Sequence, residues 1–136
     1  MADYKKAILK VLLTEGGYVN DSDDAGGETY KGIARNFWPT WTGWSVIDSA
    51  KKKSGFPSNL KPTNILGDAV MNFYRVNFWD KVGGDFIDDQ EIGNSLVDSA
   101  INEGIKPAVK RAQSIVGLAQ TGIVTPELVE KLNSMI

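Results

Sequence analysis

The sequence predicts a mainly α fold, and three observations carry that expectation. Apolar residues recur at intervals of three and four along four segments, which places them on one helical face. No stretch of useful length alternates apolar and polar residues as a half-buried strand does. Helix punctuation (Gly-Gly, single Gly, Thr-Pro-Glu) falls where the periodic segments stop or start. With 136 residues, 42% hydrophobic and 24% charged, the chain can fill one packed core and is too apolar for disorder. No repeat or low-complexity segment divides it.

The first helix carries Ala7, Ile8, Val11, Leu12 and Glu15 on one face, and Gly16-Gly17 supplies its C-terminal stop. Lys10 interrupts the apolar run and no small-residue cleavage site follows, so this segment reads as a mature amphipathic helix rather than a signal peptide. Residues 18–32, YVNDSDDAGGETYKG, are rich in Asp, Asn and Gly, which predicts a polar loop of tight turns with room for a short hairpin. YKGIARNFW is expected to form a short helix ending before Pro39, and SVIDSAKKK another, closed by Ser54-Gly55 and Pro57.

Residues 64–80 keep a helical period through Ile65, Leu66, Ala69, Val70, Phe73 and Tyr74. Residues 88–103 repeat it with Ile92, Leu96, Ala100 and Ile101 before Gly104, and residues 105–116 with Ala108, Val109, Ala112, Ile115 and Val116. Thr125-Pro126-Glu127 reads as an N-cap, an N1 proline and an acidic first turn, opening the last helix. Of the dense aromatic set Phe37, Trp38, Trp41 and Trp44, two or more are expected to be structural and Trp41 the most exposed. Tyr74 and Trp79 suit a core or a cleft equally.

Composition narrows the chemistry. A net charge of −2 and a pI near 5.1 argue against a nucleic-acid partner. No run approaches the length of a membrane span, so no membrane insertion is expected. Without cysteine there is no disulfide, thiolate metal site or thiol nucleophile. Without histidine there is no imidazole base, Ser-His-Asp triad or usual zinc site. Proton transfer would fall to carboxylates, Lys or Tyr.

Glu15 continues the apolar stripe Ile8, Val11, Leu12 at the helix C-terminus. Partial burial and the negative end of the helix dipole would both raise its pKa, as a proton donor to a glycosidic oxygen requires. A surface glutamate at a frayed helix end is the plainer alternative. Asp24, nine residues on, and Thr29 lie in the polar loop. A helix-end acid facing a loop carboxylate is the two-carboxylate layout of glycoside hydrolysis. Asp21 and Asp23 compete with Asp24 for the second role, and Asx-turns are the simpler reading for those two. Asp21, Asp23 and Gly26 fit three positions of a calcium loop, but Ala25 and Gly32 break the pattern. Gly26-Gly27 is expected to permit positive φ or close approach of a sugar to the backbone. Lys51-Lys52-Lys53 reads as a solvated face.

EGGYVNDSDDAGGETYKGIA resembles the motif of the glycoside hydrolase family of bacterial and phage N-acetylmuramidases, family 108, whose members include proteins described as secretion activators. The shared positions are Glu15, Gly16, Gly17, Tyr18, Asn20, Asp21, Asp24, Gly26, Gly27, Thr29, Gly32 and Ile33. Asp98, Asn102 and Gly104 match a later pattern. The tail is similar to the family's C-terminal, peptidoglycan-binding-like segment, with Ala112-Gln113 and Thr121-Gly122 where the family tends to show Leu-Gln and Asp-Gly.

The resemblance implies a lysozyme-like domain over 1–136, with a catalytic part in 1–85 and a helical, wall-binding-like part in 86–136. It implies cleavage of the β-1,4 bond between N-acetylmuramic acid and N-acetylglucosamine in peptidoglycan glycan strands. Glu15 would be the acid, and Asp24 and Thr29 would hold the attacking water. The expected substrate contacts are Tyr18, Trp41 and Asn102. No metal or organic cofactor is implied, and a monomer is expected. Lacking a signal peptide, the protein would be made in the bacterial cytoplasm and reach the wall by holin-type release, lysis or dedicated export. The alternative reading is a non-catalytic wall-binding or secretion-accessory module.

Overall fold

The computed structural model of the chain describes all residues except 14, 15, 22, 24, 61–63 and 136, and only the backbone of Asn64. The chain forms two compact units, one of Met1–Val11 with Tyr74–Ile136 and the other of Leu12–Phe73. The fold is mainly helical, with a small three-stranded sheet.

In the first unit, α1 (Tyr4–Leu12) buries Ala7, Ile8 and Val11, the face its spacing predicts. A π-helical turn, Arg75–Trp79, follows the helix 64–74, and Gly84–Phe86 forms a 3₁₀ turn. The Asp80 N–H reaches the Arg75 carbonyl at 2.8 Å, five residues back. The periodicity predicts a continuous helix to residue 80. The wide turn interrupts it, and Trp79 lies fully buried with Ala2, Ala7 and Val97. Its indole N–H donates to Asp85 Oδ1 at 2.8 Å. Two glycines admit the ring: a Cβ on Gly84 would fall 2.2 Å from it, and one on Gly93 3.1 Å.

The helices Gln90–Glu103, Ile105–Ile115 and Pro126–Asn133 close this unit. Their core comprises Leu96, Ala100, Ala108, Val109, Ala112, Leu128 and Leu132, with Val82 and Ile87. Gly104 alone joins the first two, at φ 101° and ψ 156°, a conformation essentially reserved for glycine. Thr125 caps the last helix by accepting the Leu128 N–H at 3.2 Å, as predicted. Buried Gln113 donates to Thr121 Oγ1 and the Ile123 carbonyl and accepts from the Gly122 N–H. It fixes the turn before that helix through three bonds.

In the second unit, β1 (Tyr18–Asn20), β2 (Glu28–Tyr30) and β3 (Ile33–Ala34) form an antiparallel sheet in chain order. The expected hairpin is therefore present in the polar segment. Tyr18 pairs with Tyr30, Val19 with Thr29 and Asn20 with Glu28, while Tyr30 and Thr29 also face Ile33 and Ala34. Opposed residues share a face. One face thus carries Tyr18, Asn20, Glu28, Tyr30 and Ile33, and the other Val19, Thr29 and Ala34.

The helix predicted for YKGIARNFW does not form. Lys31 and Gly32 take φ of +50° and +82°, making the two-residue primed turn between β2 and β3. Consecutive positive φ values stop a right-handed helix and suit the twist of a hairpin. Lysine in this conformation costs roughly 1–2 kcal/mol relative to glycine, and Lys31 is the one non-glycine with positive φ among the described residues.

Two helices, α2 (Gly43–Lys51) and α3 (Asn64–Tyr74), complete the unit. Trp44 is buried and donates to the Trp38 carbonyl at 2.9 Å. Trp41 is half-buried, donates to the Ala69 carbonyl at 3.1 Å and packs against Tyr30, Trp44 and Phe73. Its ring occupies the space a Cβ on Gly43 would need, 2.2 Å away. Trp38, at 37%, is consequently the most exposed tryptophan, not Trp41 as expected.

Candidate active site

The hairpin holds the polar segment at both ends. Asn20 and Glu28 pair across it, the Asn36 N–H bonds the Gly26 carbonyl at 3.1 Å, and Asn36 Nδ2 bonds the Ala25 carbonyl at 3.1 Å. Gly27 takes φ +69°, and a Cβ there would lie 2.7 Å from Asn36 Nδ2, so the positive φ expected of this glycine pair is needed at its second member. Asp21 Oδ1 accepts the Asp23 N–H at 2.9 Å, the Asx-turn predicted for these two residues.

Beside this segment lies a charge network that the sequence reading missed. Glu28 Oε2 accepts from Tyr18 Oη at 2.5 Å and lies 2.5 Å from Lys51 Nζ, while Oε1 accepts from Arg35 Nη1 at 2.8 Å. Arg35 also grips Asp48 with two bonds, at 2.7 and 2.8 Å. Burial pushes the Glu28 carboxyl upward, but the hydrogen bonds from Lys51, Tyr18 and Arg35 outweigh it and leave it below the usual carboxylate range. Arg35 holds Asp48 down at about 2. Glu28 raises the Lys51 ammonium. Burial, then Glu28, raises the Tyr18 hydroxyl, which stays protonated as the donor. Two carboxylates meet two cations, so the network is neutral. An ionised, saturated Glu28 braces the sheet against α2 and is a poor proton donor.

Lys51 accordingly belongs to an ion-pair network instead of the solvated face expected of it. The Asp48–Lys51 spacing was readable as a helical i,i+3 pair. Glu28 and Arg35 were not, because the Arg35 N–H reaches the Glu28 carbonyl only through the β2–β3 register.

Of the candidate catalytic residues, Glu15 and Asp24 lie outside the described residues. Thr29 is half-buried in β2, on the face opposite Glu28. Tyr18 packs edge-on against Phe56, with centroids 4.8 Å apart. Asn102 is exposed near the end of the helix 90–103, in the other unit. A groove of about 220 Å³ is lined by Gly17, Tyr18, Tyr30, Lys31, Pro57 and Ser58, with Leu60 at its side. Among the described residues no three carboxylates converge to share a cation, and no helix is long and apolar enough to cross a membrane.

The profile of the glycosyl hydrolase 108 family matches residues 8–104. The chain belongs to that family. The match takes in α1, the polar segment, the sheet and the helices through 103. As a glycosyl hydrolase 108 member, the chain has a glycosidase kind of function and a glycan as its class of substrate. Among solved structures it is similar to SagA of Brucella abortus, at 28% identity and a TM-score of 0.65, over 98% of this chain and 70% of that one. No curated protein sequence matches it. The mainly α, lysozyme-like fold that the motif implies agrees with the helices observed and with this likeness.

Proposed function

We propose that the chain is a peptidoglycan hydrolase, an N-acetylmuramidase that cleaves the β-1,4 bond between N-acetylmuramic acid and N-acetylglucosamine. Glu15 is the general acid that protonates the leaving oxygen. Asp24 orients the attacking water, and Thr29, in β2, assists. The family match carries this reading, because it spans residues 8–104 and so takes in positions 15, 24 and 29. The network offers further support. Glu28 is committed to Tyr18, Arg35 and Lys51, which leaves the acid role to a carboxyl outside it.

Glu15→Gln retains size and hydrogen bonding but removes the proton. It should cut release of reducing ends from purified sacculi by about 100-fold or more with an unchanged circular dichroism spectrum. Near-wild-type release would sink the assignment. Asp24→Asn should also cause a large loss, and a greater loss in Asp21→Asn would move the second role to that residue.

A further inference from the structure

One tyrosine of the sheet is buried while the fold makes no use of its hydroxyl. Tyr30 is 3% exposed; its ring stacks on Trp41, and its backbone lies between Tyr18 of β1 and Ile33 of β3. In the same unit the Tyr18 hydroxyl donates to Glu28, and the Trp41 and Trp44 indoles donate to carbonyls. Among the described residues no group bonds the Tyr30 hydroxyl. Burial alone raises it above its ordinary 10.0, so it is protonated and able to donate. A buried hydroxyl without a partner is destabilising, and phenylalanine would fill the same space without it. Buried polar groups are ordinarily bonded, so an unbonded one at a groove points to a partner that arrives from outside.

Tyr30 lines the groove of about 220 Å³, a volume small for an oligosaccharide and suited to one substituent of a sugar. The other side chains of the lining are Tyr18, Lys31, Pro57, Ser58 and Leu60. Pro57 and Leu60 present hydrocarbon, and the Tyr18 hydroxyl is committed to Glu28. Proline and leucine suit a methyl group, and a fixed phenol O–H suits a carbonyl oxygen. The acetamido group of an N-acetylated sugar carries both.

We infer that Tyr30 determines specificity by donating its hydroxyl hydrogen to the acetamido carbonyl of an N-acetylated sugar bound at this groove, with the acetamido methyl against Pro57 and Leu60. This role rests on the reading of the chain as a hydrolase of wall glycan and identifies the substituent that the groove recognises. Tyr30 binds the substituent and takes no part in proton transfer to the leaving oxygen. Its stack on Trp41 and its place between two strands hold the hydroxyl in position before the sugar arrives.

The test uses two uncharged probes of the same β-1,4 linkage: the tetramer of N-acetylglucosamine, and the tetramer of glucose, in which a hydroxyl replaces each acetamido group. Affinities are measured calorimetrically for the full chain. Wild type should bind the N-acetylated tetramer at least about tenfold more tightly than the glucose tetramer. Tyr30→Phe removes one oxygen and nothing else. It should weaken binding of the N-acetylated tetramer about tenfold and leave binding of the glucose tetramer unchanged. Because the hydroxyl has no partner in the fold, Tyr30→Phe should melt at or above the wild-type temperature, which separates a ligand contact from a structural one. Equal binding of the two probes by wild type, binding of neither probe, unaltered affinities in Tyr30→Phe, or a lowered melting temperature in that variant overturns the inference. Release of reducing ends from sacculi is scored separately. A Tyr30-dependent preference without release removes the hydrolase reading and keeps the site, whereas release without that preference keeps the hydrolase and removes the site.

Discussion

Glu28 shows how one side chain can organise a unit. Its two oxygens receive a phenol, a guanidinium and an ammonium, and only 10% of the side chain is exposed. Glu28→Gln keeps the shape but removes the charge that Lys51 and Arg35 face. The expected loss is about 1–3 kcal/mol, read from the urea midpoint. An unchanged midpoint would show that the network contributes nothing net. Gln113 plays a comparable part elsewhere. Replacing it with leucine leaves the Gly122 N–H and the Ile123 carbonyl without their partner and should cost a similar amount. The two residues differ in legibility. Gln113 and Thr121-Gly122 were picked out by resemblance, and the structure joins them directly. Glu28 looked like one more polar residue in a polar loop, since its partners come from across a strand and from another helix.

The helices were read from spacing, because three- and four-residue apolar periods survive wherever one face is buried. Four long periodic segments became helices, and the Thr125-Pro126-Glu127 start appeared where expected. The misreadings share a cause. A primed turn built on Lys-Gly lacks the Asn-Gly signature, and strands of three, three and two residues are too short to show alternation. The π turn was illegible because one extra residue in a helical turn leaves the apolar composition unaltered. Gly27→Ala tests the turn chemistry at this scale. It meets both a positive φ and Asn36 and should lower stability by more than about 1 kcal/mol. Wild-type thermal stability in that variant would show that Asn36 moves aside freely. Removing the cap hydroxyl with Thr125→Ala should cost about 1 kcal/mol, again seen as a shift in urea midpoint.

For the whole molecule, the charge network predicts a pH profile of stability. Glu28 and Asp48 have folded pKa values below their ordinary 4.5 and 3.8. Their contribution is complete above about pH 5 and is lost as the pH falls through the folded values, down to about 2 for Asp48. Lys51 lies above its ordinary 10.5, so its contribution persists below that pH and disappears as the pH rises through the higher folded value. With no histidine in the chain, a melting-temperature profile should run level between these limits. A marked step between pH 6 and 8 would contradict that expectation. The glycan chemistry was legible in the motif and in the absence of imidazole and thiol. The brace beside the motif was not, since it exists only once the sheet has formed.

The tryptophans are unevenly distributed: Trp38, Trp41 and Trp44 belong to residues 12–73, and Trp79 stands in the other unit, sealed from solvent. Trp79 is therefore a built-in optical label. If the other three are exchanged for phenylalanine, the remaining fluorophore should emit toward the blue and resist iodide quenching. It would then redden only when the surroundings of Gly84 and Gly93 come apart.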